Sequence, residues 1–173
     1  METIAAPRTG IVGGLAYWTP TISRVVLGGL FLLAGILKLQ DPQAFLFAIN
    51  GFKLLPPHLA YTAAFVIPWT EVFAGAMLVV GLWGRSAAII LMALLAAFIM
   101  GIVNVLVNGY DTKCSCFGDM EWPCPEEVGW CQITRNVLMI GAGLPVLVWG
   151  SGQVSVDGLL ARVCAGTRGQ RTG

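Results

Sequence analysis

The sequence predicts an all-α membrane protein: a bundle of four transmembrane helices, both termini on one side and a cysteine-rich loop on the other. Three observations carry that expectation. Charged residues make up 11 % of the 173-residue chain and hydrophobic residues 57 %, whereas about a quarter of a soluble domain is charged. Mean hydropathy is +0.79, so there is too little polar surface to face water and lipid has to cover the rest. The apolar runs are continuous rather than alternating, unlike the pattern of a transmembrane β-barrel. The net charge of +1 and the scattering of the ten Lys and Arg exclude nucleic acid as a partner, because its binders show basic stripes.

Residues 1–20 read as a cytoplasmic or interfacial tail, resting on the membrane face through Tyr17 and Trp18. Glu2 and Arg8 precede a Gly-rich stretch, without the charged start, apolar run and small-residue cleavage site of a signal peptide. Residues 21–150 form the membrane domain. Its first span covers 22–39, about 27 Å of helix and close to one hydrocarbon thickness. Asp41-Pro42 then supplies an N-cap with Pro at the first helical position. The short interfacial helix that follows, Gln43 to Asn50, carries Phe45, Leu46 and Phe47, and Gly51 is placed to end it. The second span covers 57–83, with Gly81 and Gly84 at its exit, and the third, 86–107, is the most apolar. The fourth covers 133–149 and contains Pro145. Residues 151–173 form a cytoplasmic tail.

Orientation follows from the basic residues. With the N-terminus in the cytoplasm, Arg8, Arg24, Arg85, Arg162, Arg168 and Arg171 lie inside, and Lys38, Lys53, Lys113 and Arg135 lie outside. The positive-inside rule favours this arrangement in the cytoplasmic (inner) membrane. It puts loop 108–132 on the extracytoplasmic, oxidising side, where disulfides persist.

That loop holds four of the five cysteines, Cys114, Cys116, Cys124 and Cys131. A bond between Cys114 and Cys116 closes a very small, strained ring, and strain marks a disulfide that exchanges. Lys113 beside it favours the thiolate. Cys124 and Cys131 span a longer stretch and suit either a shuttle pair or a structural bond, and cross-pairing with Cys114 or Cys116 is equally open. Two static disulfides shaping a lid are the plain alternative to redox exchange. The spacing C-x-C-x7-C-x6-C does not match paired C-x2-C zinc knuckles, so no metal is expected. Cys164 has no evident partner and reads as a bystander.

Glu71 falls near mid-bilayer in the second span, where a carboxylate is protonated, paired or functional. Helical rise sets Lys38 and Arg24 about 10 Å or more from its level, so neither reads as a direct partner. Proton handling and a structural interhelical hydrogen bond are both open to Glu71. Pro68 one turn earlier should kink that helix. Asn104, Arg135 and Asn136 fall near the outer boundary, and Arg135 reads as an interface anchor. Gly28-Gly29, Ala34-Gly35, Ala74-Gly75-Ala76 and Gly141-Ala142-Gly143 allow close helix packing.

Three stretches in order carry a family resemblance: Arg24 to Phe45, Pro68-Trp69-Thr70-Glu71 with Gly75, and Cys114-Ser115-Cys116-Phe117-Gly118 followed by Thr134-Arg135-Asn136. Together they resemble the DoxX superfamily, especially its MauE-like branch, over about residues 24–148. The resemblance implies a four-helix membrane protein of redox function. MauE is associated with disulfide formation in methylamine dehydrogenase, beside a thioredoxin-like partner. DoxX relatives include the membrane subunit of a thiosulfate:quinone oxidoreductase. Carried over, Cys114 and Cys116 take the place of the redox pair and Glu71 that of the membrane carboxylate. Two departures stand out: Ser115 replaces the Gly of many relatives, and Asp119 to Gln132, with Cys124 and Cys131, looks like an insertion.

Two functions are therefore expected in competition. One is a thiol–disulfide oxidoreductase that exchanges electrons between extracytoplasmic thiols, of a thioredoxin-like protein or a substrate, and a quinone. Phe117, Trp122 and Trp130 are the aromatic residues available to line the quinone site. The other is a non-catalytic accessory subunit, packed against other membrane subunits of a redox or energy-converting complex, with a disulfide-braced loop.

Overall fold

The chain forms helix α1 over Ile11–Gln40, α2 over Pro42–Gly51, α3 over Pro57–Val80, α4 over Gly84–Asn108 and α5 over Trp130–Trp149. The computed structural model describes residues 11–110, 129–150 and 156, with side chains from Trp18 onward. Among the described residues everything regular is helix, and α1, α3, α4 and α5 are each long and apolar enough to cross a membrane. Lipid offers the backbone no hydrogen bonds, so apolar runs of this length close their bonds within themselves.

The ends of the helices follow local chemistry. Asp41 caps α2 by accepting a hydrogen bond from the Ala44 N–H at 3.0 Å, with Pro42 in the first turn. α3 stops where Gly81 takes a left-handed conformation (φ 78°) and its N–H returns to the Met77 carbonyl. Glycine adopts that conformation at no steric cost. Gly109 (φ 66°) ends α4 in the same way. α5 starts at Trp130, a turn ahead of the expected 133, with the Gln132 side chain accepting from the Gly129 N–H at 2.9 Å. α1 differs more. It begins at Ile11 rather than 22 and runs through Pro20, which a membrane helix tolerates when neighbours satisfy the freed carbonyl. Arg24 therefore sits well inside α1 and is buried, 3 % exposed, rather than marking a membrane face.

α1 and α3 pack antiparallel through glycine. A side-chain carbon at Gly28 would stand 2.8 Å from the Gly75 carbonyl oxygen, and one at Gly35 would stand 2.9 Å from the Pro68 carbonyl. With Gly35 opposite Pro68, Gln40 comes opposite about residue 63, and α3 projects roughly 9 Å past the end of α1. α2 covers that projecting part: Phe45 and Ile49 pack on Ala60 and Ala64. The main core, Leu27, Phe31, Leu78, Leu91, Leu95 and Val146 with smaller residues, joins α1, α3, α4 and α5. Outward-facing Phe65, Phe73, Val107 and Leu138 are each at least 63 % exposed, an apolar surface that water would not tolerate and lipid does. The chain is a multi-pass membrane protein.

Candidate functional site

The buried polar centre is an ion pair that helical rise alone had set apart. Lys38 Nζ donates to both carboxylate oxygens of Glu71, at 2.6 and 2.7 Å, and the two side chains are 2 % and 1 % exposed. This corrects the expectation that Lys38 lies too far from Glu71. Two physical reasons close the gap. Levels counted from Pro57 assumed that α1 and α3 end together, whereas α3 overshoots α1. In addition, Cα–Cβ bonds lean toward a helix's own N-terminus, so on antiparallel helices Lys38 and Glu71 lean toward each other. Gly35, one turn from Lys38, lets the Glu71 stem approach: a carbon added there would stand 3.1 Å from Glu71 Cβ.

Aromatic rings complete the enclosure. Lys38 Nζ lies 5.1 Å from the Phe45 ring centre and 5.0 Å from that of Phe98, within range for cation–π attraction. The pair therefore ties α1, α2, α3 and α4 together at one depth. Toward the end of the bundle that bears the cysteine loop, Asn104 Nδ2 donates to the Phe52 carbonyl at 2.8 Å. This fixes the exit of α2 on α4, a more specific role than boundary anchoring. Lys53 Nζ stands 4.0 Å over the Tyr110 ring.

A second feature lies between α1 and α5, an open groove of about 520 Å³ lined by Leu27, Leu30, Cys131, Thr134, Arg135 and Leu138 among others. Its α5 wall is Cys131, Thr134, Arg135, Leu138, Met139 and Ala142, and its α1 wall is Ser23, Val26, Leu27 and Leu30. Both follow the i, i+3, i+4, i+7 spacing of a single helix face. The Ser23 hydroxyl donates to the Ala142 carbonyl, tying α1 to α5. Arg135 is half-buried in this wall.

Cys131 lies in the first turn of α5 and is bonded in a disulfide. All the other cysteines lie outside the described residues, so its partner sulfur does too. Cys114, Cys116 and Cys124, with Phe117 and Trp122, belong to that undescribed stretch. Of the expected site residues, the structure describes Glu71, buried on Lys38, and Cys131, at the rim of the α1–α5 cavity. The spacing of Cys131, Thr134, Arg135 and Leu138 puts one wall on a single stripe of α5, but nothing in the sequence pairs that stripe with α1.

Comparison with known proteins gives a consistent answer. The family model described as methylamine utilisation protein MauE matches residues 16–150. A methylamine utilization protein MauE from Paracoccus denitrificans is 30 % identical over 149 residues, 82 % of this chain and 78 % of that protein. One from Methylorubrum extorquens is 29 % identical over 135 residues, 76 % of this chain and 68 % of that protein. No solved structure matches the chain.

Proposed function

This chain belongs to the MauE family, and from that premise we propose that it is a membrane thiol–disulfide oxidoreductase of methylamine utilisation. Its role is to form disulfides in extracytoplasmic protein, with methylamine dehydrogenase as the end recipient and a thioredoxin-like protein as the direct partner. The loop faces the oxidising side of the cytoplasmic membrane. There the Cys114–Cys116 disulfide accepts two electrons and two protons from a partner dithiol, whose sulfurs become bonded to each other. Cys124 and Cys131 relay the electrons inward. A quinone supplies the two-electron acceptor, soluble in the bilayer, that returns the loop to its oxidised state.

One observation supports this reading above the others: the Cys131 disulfide stands at the rim of a cavity that opens along the membrane-spanning part of α5. A disulfide that merely braced a surface lid would have no need of that position. The Lys38–Glu71 pair lies within about a turn of the same depth, and we assign Glu71 to proton handling there, with Lys38 Nζ donating to its carboxylate at 2.6 Å. The competing accessory-subunit reading draws on the aromatic groove between α3 and α4, about 470 Å³ and lined by Phe65, Trp69, Phe73 and Trp83.

A thiol-exchange assay separates the two. Purified protein carrying Cys114→Ser and Cys116→Ser should lose oxidation of a model dithiol while keeping its unfolding midpoint. The loop disulfides should titrate above about −300 mV, the region of exchangeable bonds. Unchanged exchange in the double variant, or midpoints well below that value, would leave the accessory reading standing.

A further inference from the structure

Proton handling by Glu71 needs contact with water, and the side chains of the Lys38–Glu71 pair are only 2 % and 1 % exposed. We infer that the Asn136 amide holds a water molecule in the seam of α1, α4 and α5, and that this water connects the pair toward the end of the bundle bearing the cysteine loop. The inference rests on the assignment of Glu71 to proton handling. It adds the place of the water and the end of the bundle with which the pair exchanges.

Burial, depth and facing carry the argument. Asn136 is 3 % exposed, and its Nδ2 is enclosed without a hydrogen-bond partner among the described residues. Leaving a buried amide donor unmade is unfavourable, and a trapped water satisfies it where other polar groups stand near. Two contacts set its depth. A carbon added at Gly150 would stand 3.6 Å from Arg85 Nε, and one at Gly143 would stand 3.3 Å from Met92 Sδ. From the first contact to the second, α4 advances as far as α5 retreats, so the two helices run antiparallel. The same step again brings Asn136 level with about Ile99. Its neighbour Phe98 has its ring centre 5.0 Å from Lys38 Nζ, so Asn136 and the ion pair share a depth. Facing agrees. Asn136 lies two turns from Gly143 on the same face of α5, and Gly143 meets Leu27 of α1 as well as Met92 of α4.

The direction comes from what lies on either side of that depth. One turn nearer the loop on the same stripe is Gln132, 2 % exposed, whose Oε1 accepts the Gly129 N–H. The loop-side half of the buried face of α5 is therefore polar, and the other half is Gly143 and Val146. Away from the loop, the next enclosed polar side chain among the described residues is Arg24, about 21 Å of helix from Lys38. Leu27, Phe31, Leu78 and Leu91 fill the interval as dry core. A proton that the pair gives up passes to the water while another leaves it past Gln132. One proton arrives and one departs, and no electron moves. Asn136 is a positioning residue here, fixing the water without changing its own protonation state.

The test uses the full-length protein in lipid nanodiscs, given a brief X-ray pulse that splits water into hydroxyl radicals and then read by mass spectrometry. Phe98, beside the site, should gain oxygen in the unmutated protein. Phe31 in the core and lipid-facing Phe73 should not. Asn136→Leu keeps the volume and removes the amide. It should cut the Phe98 signal about tenfold, the occupancy expected of one hydrogen bond to a buried molecule, and Asn136→Gln should recover part of it. A Phe98 signal no higher than that of Phe31, or one indifferent to Asn136→Leu in protein with an unchanged unfolding midpoint, overturns the water site. Mixing with heavy-oxygen water before the pulse reads how fast the site exchanges. Gln132→Leu should slow that exchange, and an unchanged rate overturns the loop-side route. Dithiol oxidation by Glu71→Gln at the unmutated rate overturns the proton-handling assignment, whereas the water's place is judged by the labelling alone.

Discussion

Lys38 and Glu71 illustrate how much one residue's setting depends on another's. Each is almost wholly enclosed, so removing either leaves a charge with no counter-charge, at a cost of about 3–5 kcal/mol. Glu71→Gln should therefore lower stability by about that much in detergent unfolding, whereas replacing both with Met should recover most of the loss. A double-mutant cycle measures it, and strictly additive losses would mean that the pair is not coupled. The sequence revealed that Glu71 needed an explanation, since a carboxylate in a membrane span is rarely idle. It hid the partner, because levels along two helices compare only when their relative ends are known. A clue lay in α2: its Phe45 and Ile49 need a surface to cover, and that surface is the part of α3 that outruns α1. Arg24 was misplaced for a related reason, since counting α1 from Ile22 moved it from the interior to an edge.

At the level of elements, glycine decides which helices touch. Gly75 meets the Gly28 carbonyl and the Leu32 N–H at 2.9 and 3.0 Å from an added carbon, and neither backbone group can yield without moving its helix. Gly75→Val should therefore push α1 from α3 and cost about 1–3 kcal/mol, lowering the thermal midpoint. Gly29→Val should not, because nothing lies within 4 Å of a carbon added at Gly29. Equal midpoints for the two variants would contradict this packing. The sequence showed both glycines as packing residues of the spans, but which of a neighbouring pair faces a partner is a question of rotation about the helix axis. By contrast, the Asp41-Pro42 start of α2 was readable to within a residue, since caps are local chemistry, whereas α3 ends at Val80, three residues short of the expected 83, because Gly81 takes the left-handed stop.

For the molecule as a whole, the arrangement of charge sharpens the expected topology. Setting aside Arg24, Lys38 and Arg135, which the bundle wholly or partly encloses, the positive-inside comparison becomes Arg8, Arg85, Arg162, Arg168 and Arg171 against Lys53 and Lys113. In intact, mildly reduced cells, an impermeant thiol reagent should modify the loop cysteines, and Cys164 only after lysis. The opposite pattern would invert the orientation. The number and order of spans were plain from hydropathy, whereas the α1–α5 cavity was not, because its two walls are distant in sequence and meet only through the tertiary register that Ser23 and Ala142 set. That separation has a consequence for biosynthesis. A nascent chain halted before α5 possesses neither the cavity nor the Cys131 sulfur at its rim, however well the preceding helices have inserted. The space between α1 and α5 thus comes into being only with the final span, and no truncated product can share in whatever that space does.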